Sequence, residues 1–162
     1  MYRDKNLLDR NSTLQEFVTK LTTVPLQDQP GTQFHYSVST DVLGRLVEVI
    51  SGKSLDVFFA ERIFKPLDMV DTSFYVPASK ADRFATNYGP AGRRRLKVID
   101  DPAKSLYLSP PHFFSGGGGL VSTARDYTRF CQMLLDGGTL QGVRLLKPET
   151  IQTMTRNQLP LE

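Results

Sequence analysis

Tyr36-Ser37, between an alternating apolar run and an amphipathic helix, and Gly116-Gly117-Gly118-Gly119, just ahead of another helix, are the stretches of this sequence whose residue types and spacing could support chemistry. A tyrosine where a strand meets a helix can hold a phenol rigidly at the mouth of a pocket. With a reference pKa of about 10, it accepts a proton at neutral pH only if neighbouring cations lower that value. Consecutive glycines ahead of a helix could cradle a phosphate with bare N–H groups. A phosphate loop, however, needs Gly-Lys followed by Ser or Thr, and a dinucleotide fingerprint needs a third glycine where Val121 or Ser122 stands. The glycines are therefore expected to serve a close approach of two chain segments that admits no Cβ.

Other chemistries have little material. His35 and His112 are the only histidines, Cys131 is the only cysteine, and no His-Glu-x-x-His occurs, so neither a metal nor a cofactor is expected. No serine lies in a Gly-x-Ser-x-Gly elbow, and no lysine has a serine three residues before it. His35, alternating with Phe34 and Tyr36, reads as a rim or surface residue. Cys131 falls on an apolar helical position and is expected to be a small core residue.

The elements that must position these groups follow from periodicity. Pro30-Gly31 is a turn, and Thr32, Phe34 and Tyr36 alternate as a strand would. From Ser39 the period becomes helical: Val42, Leu43, Leu46, Val47 and Ile50 share one face, Asp41, Arg45 and Glu48 the other, with Ser39 as cap and Gly52 as left-handed stop. A helix over residues 11–23 is capped by Asn11 or Ser12 and lays down Leu14, Phe17, Val18 and Leu21. Ser54 caps a further helix in which Leu55, Phe58, Phe59 and Ile63 face inward, and Pro66 stops it. Thr72 to Val76 and Leu96 to Ile99 are expected strands in an irregular middle section. Ser122 caps a helix carrying Tyr127, Phe130, Cys131, Leu134 and Leu135 and ending at Gly137-Gly138, and Pro148 opens the last one.

Composition is that of one ordinary globular unit: 162 residues, 40% hydrophobic and 23% charged. The net charge of +3 is modest, and its only cluster, Arg93-Arg94-Arg95, reads as a solvated loop or hairpin edge, so no nucleic-acid partner is expected. No apolar run is long enough for a membrane span, and none follows Met1-Tyr2-Arg3-Asp4-Lys5 to make a signal peptide. No compartment follows from the sequence.

Phe34, Tyr36-Ser37, Asp41-Val42-Leu43-Gly44, Val47-Glu48-Val49-Ile50-Ser51-Gly52 and the run from Gly116 to Thr123 with Asp126-Tyr127 resemble the serine β-lactamase and penicillin-binding-protein superfamily, most closely its class C β-lactamase-like esterase branch. The likeness runs from about Leu14 to the C-terminus. It implies an α/β fold of the β-lactamase/transpeptidase type, here partial, mostly its helical region with part of the antiparallel sheet. It also implies an acyl-enzyme mechanism on small acyl esters or amides, with Tyr36 sharing proton transfer with the lysine of a Ser-x-x-Lys motif. Ser37 and Val38 are then expected at the substrate. Val38 stands where β-lactamases carry the asparagine of Tyr-x-Asn, which favours ester substrates over β-lactams. The absent Ser-x-x-Lys and Lys-Thr-Gly motifs lie, in that family, on either side of the region matched. The expectation is that residues 1–162 are the central fragment of one longer hydrolase domain, inactive alone and able to self-associate through exposed edges. The alternative is a complete, non-catalytic binding or scaffold protein of the same family.

Overall fold

The computed structural model describes residues 7, 9, 11–36 and 38–159. Its elements in chain order are α1 (Leu14–Leu21), α2 (Ser39–Ser51), α3 (Leu55–Phe59, continued by a π turn over Ala60–Phe64), β1 (Asn87–Pro90), β2 (Leu96–Asp100), α4 (Ala124–Leu135), β3 (Thr139–Leu140), β4 (Val143–Arg144) and α5 (Pro148–Thr155). The strands form two antiparallel hairpins, β1 with β2 and β3 with β4. Helices with small antiparallel sheets are what a partial β-lactamase-like α/β fold predicts.

Local chemistry sets the helix ends, in places one or two residues from where the sequence put them. The cap of α1 is Thr13, neither Asn11 nor Ser12: its hydroxyl accepts from the Glu16 N–H while the Glu16 carboxylate accepts from the Thr13 N–H, a reciprocal capping box. Ser39 is the first residue of α2 and caps nothing, whereas Gly52 stops the helix with a left-handed φ of 68°. Ser54 sits at the N-cap of α3 without a side-chain bond. Thr123, and not Ser122, caps α4 by accepting from the Asp126 N–H at 3.2 Å. Pro148 opens α5 as expected.

Residues 32–36 form no strand among the described residues, and Thr72 to Val76 make one bridge, Ser73 to Val121, with the Val76 N–H donating to the Tyr107 carbonyl at 2.7 Å. A ladder needs a neighbour, and the described chain offers the first stretch none. Leu96 to Ile99 is a strand, as expected.

The core has two parts. Phe64, Leu67, Met69, Met133 and Leu140 make one, and Leu14, Leu55 and Phe74 make the other, flanked by Val47, Phe113 and Phe114. Phe59 joins them, with its ring 5.9 Å from Phe64 and 6.0 Å from Phe74. Burial of these rings supplies the apolar area that holds α1, α3 and α4 together.

The main departure from the helical-wheel reading concerns which faces are covered. Asp41 and Gly44 are the buried residues of α2, while Val42, Leu43, Leu46, Val49 and Ile50 are exposed, Ile50 by 77%. In α4, Asp126 and Met133 are buried, Phe130 and Leu134 are half-buried, and Tyr127, Cys131 and Leu135 face out, so Cys131 is not a core residue. An apolar stripe of this extent on one helix is a surface that water disfavours. The chain is therefore expected to associate as its concentration rises, and Leu46→Gln with Ile50→Gln to move it toward monomer. Sedimentation velocity reads this directly; a parent chain that stays monomeric contradicts it.

Candidate active site

Tyr36 lies three residues before α2, and what fixes α2 fixes the approach to the phenol. The polar face of the helix makes the attachment. Glu48 accepts from the Leu55 N–H at 3.1 Å, and Arg45 donates to Glu48 and to Gln15, each at 3.1 Å, tying α2 to α3 and α1. The first turn is held more closely. The Ser115 hydroxyl donates to Asp41 Oδ1 at 2.5 Å, and the Gly117 N–H reaches the same oxygen at 3.4 Å. Gly116 meanwhile packs backbone to backbone against α2: a Cβ there would stand 2.1 Å from the Thr40 carbonyl oxygen and 3.2 Å from Gly44 Cα. This is the close approach expected of the glycine run. Asp41 and Gly44, three apart and so on one helical face, form its other half.

The second joint lies at the start of α4. Asp126 is fully buried, and its Oδ2 accepts from the Asp71 N–H at 2.7 Å and from the Thr72 hydroxyl at 2.9 Å. With the Thr72 proton committed to Asp126, the Ser122 hydroxyl donates to Thr72 Oγ1 across 2.8 Å. Beside it Arg83 and Lys80 bind the Asp71 carboxyl, at 2.6 and 2.7 Å, and hold it well below the usual carboxylate range. Arg83 in turn is pushed up by Asp71. Ser122, Thr123 and Asp126 thus bolt α4 to the Asp71-Thr72 corner.

Tyr36 itself is 94% exposed. Its ring is not packed into the core, and three cavities of about 290, 450 and 510 Å³ are all lined by other residues. Ser37 lies outside the described residues. Val38 is the half-buried N-cap residue of α2, two positions after Tyr36. His35 is exposed and its Nε2 lies 2.6 Å from Asp28 Oδ2, a contact that pins the preceding loop to the segment leading to Tyr36. Asp28, Ser115 and Thr72 were not singled out from the sequence, and Asp41 and Asp126 entered only as members of the motifs that carry the resemblance, without a role of their own. A signal existed for Asp41, whose i, i+3 spacing from Gly44 marks a face too small and polar to be the core stripe; Thr72 and Ser115 carried none. Among the described residues no group of acids, histidines and cysteine could hold a metal ion, and no helix is long and apolar enough to cross a membrane.

A family profile described as "Beta-lactamase" matches residues 2–161. Protein Rv1367c of Mycobacterium tuberculosis (strain ATCC 25618 / H37Rv) is 42% identical over 145 residues, 88% of this chain and 35% of that protein. The lovastatin esterase of Penicillium rubens is 32% identical over 146 residues, covering 88% of this chain and 35% of the esterase. Among solved structures, that of EstCE1, described as a hydrolase with promiscuous acyltransferase activity, superposes with a TM-score of 0.77 at 25% identity, covering 93% of this chain and 42% of EstCE1. The chain thus spans about a third of the length of the curated relatives it matches. The architecture is accordingly a partial β-lactamase/transpeptidase-like fold. Matched over almost its whole length, with both glycine-run and helix motifs engaged in the joints just described, the chain belongs to the Beta-lactamase family of hydrolases.

Proposed function

We propose that residues 1–162 are the central part of a serine acyl hydrolase domain that acts on small esters or amides through an acyl-enzyme, with Tyr36 as general acid/base. The observation that carries this reading is the state of α2. Its polar face is anchored, its apolar face is open, and the phenol ahead of it is 94% exposed, an arrangement suited to further polypeptide of the same domain. That polypeptide would bring a serine nucleophile and a lysine to Tyr36, and Ser37 and Val38 would then border the substrate. Val38, apolar where an amide would engage a β-lactam side chain, favours simple esters.

The chain alone is expected to hydrolyse a p-nitrophenyl ester no faster than buffer, since it holds no Ser-x-x-Lys. Joined to the parent polypeptide that carries this motif, it is expected to show an acyl-enzyme burst. Tyr36→Phe in that assembly should lower kcat by about 10²- to 10⁴-fold. Turnover by the isolated chain, or a Tyr36→Phe assembly of undiminished kcat, overturns the assignment.

A further inference from the structure

The β1–β2 hairpin has no part in either joint, and its chemistry differs from that of the rest of the chain. Pro90 and every residue from 91 to 99 are exposed, so the hairpin stands off the body as an arm. Its tip is closed by the Ala91 N–H donating to the Arg95 carbonyl at 2.9 Å, with Gly92 and Arg94 at φ of 92° and 59°. An ordered turn therefore carries Arg93, Arg94 and Arg95. Lys97 follows on the strand, and among the described residues none of these four cations is in an ion pair. No acidic residue occurs between Arg83 and Asp100. The arm's four positive charges exceed the net +3 of the whole chain, leaving the remainder mildly acidic. Such an asymmetry directs one end of a molecule at an anionic partner.

The register defines the partner further. Tyr88 pairs with Val98 and Pro90 with Leu96, so these four side chains share one face of the hairpin. All four are exposed, Leu96 by 73%. A tyrosine and aliphatic groups next to unpaired guanidinium groups suit the boundary between lipid headgroups and acyl chains. Single-stranded nucleic acid would call for several stacking aromatics, and the arm has one.

We propose that this hairpin docks the protein on anionic lipid surfaces, with Tyr88, Leu96 and Val98 entering the headgroup boundary and the turn arginines Arg93, Arg94 and Arg95 binding lipid phosphates. The arm shares no residue with α2 or its joints, so the binding test below does not depend on Tyr36. In the test, the 162-residue chain is sedimented with vesicles of phosphatidylcholine alone or containing phosphatidylglycerol, at low and high salt, with vesicle-free tubes correcting for self-association. Preferential, salt-sensitive partition onto the phosphatidylglycerol vesicles is expected. Replacing the three arginines by glutamine should weaken it by more than about tenfold, and Leu96→Ser with Val98→Ser should weaken it without removing its salt dependence. These positions are exposed, so circular dichroism should be unchanged. Equal partition onto neutral vesicles, unchanged partition of the arginine variant, or tighter binding to single-stranded DNA or polyglutamate than to the vesicles at equal salt overturns the proposal.

Discussion

Replacing Gly116 by alanine is expected to destabilise the chain by about 3–5 kcal/mol, combining overpacking against rigid backbone with loss of the partly buried Ser115 to Asp41 hydrogen bond. The added Cβ would meet the Thr40 carbonyl at 2.1 Å, and neither partner is a side chain that could turn aside. Helix α2 would have to lift, stretching the Ser115 to Asp41 bond from its 2.5 Å and separating Gly44 from the glycine run. Two further alanines grade the effect. At Gly44 a Cβ meets Leu55 Cδ2 at 3.0 Å and Gly116 Cα at 3.3 Å, so a smaller loss is expected; at Gly118 nothing lies within 4 Å, and stability should stay within about 1 kcal/mol of the parent. Urea unfolding followed by near-ultraviolet circular dichroism measures the series. A Gly116 variant that unfolds at the parent's midpoint would mean that α2 is not held by the glycine run.

That joint also separates what the sequence reveals from what it conceals. Helix positions follow from local periodicity and breakers, and Gly52, Gly137 and Pro148 mark ends where they were expected. The covered face of a helix depends on partners distant in sequence: Ser115 lies 74 residues from Asp41. An amphipathic stripe names the apolar side, and α2 buries the opposite side because a glycine backbone can approach only where Thr40, Asp41 and Gly44 leave room. The β3–β4 hairpin went unread because its turn, Gln141-Gly142, takes positive φ at both residues without the usual asparagine or aspartate. Tyr36 was identifiable through its motif; the exposure of its ring was not, since that reflects what the described chain does not place against it.

Asp126→Ala is expected to cost about 3–5 kcal/mol, the range for breaking a buried network by removing the acceptor that others depend on. The Asp71 N–H and the Thr72 hydroxyl both donate to Asp126 Oδ2, and the carboxyl is fully buried, so no water would replace it without opening the joint. The consequences would spread along the corner. Thr72 would turn its proton to Ser122, Asp71 would lose the backbone anchor that presents its carboxyl to Arg83 and Lys80, and the Ser73 to Val121 bridge would lose its neighbour. Asp126→Asn keeps the shape and one acceptor oxygen, but it places an amide NH₂ where Oδ1 has no partner among the described residues. Its cost should be lower, about 1–3 kcal/mol. Amide hydrogen exchange distinguishes this account from a general loss of packing: the Asp71 N–H should lose protection selectively in the alanine variant and keep part of it in the asparagine variant. Equal protection of Asp71 in parent and alanine variant would show that the corner is held by the apolar contacts of Phe74 and Leu67 and that the carboxyl is incidental to it.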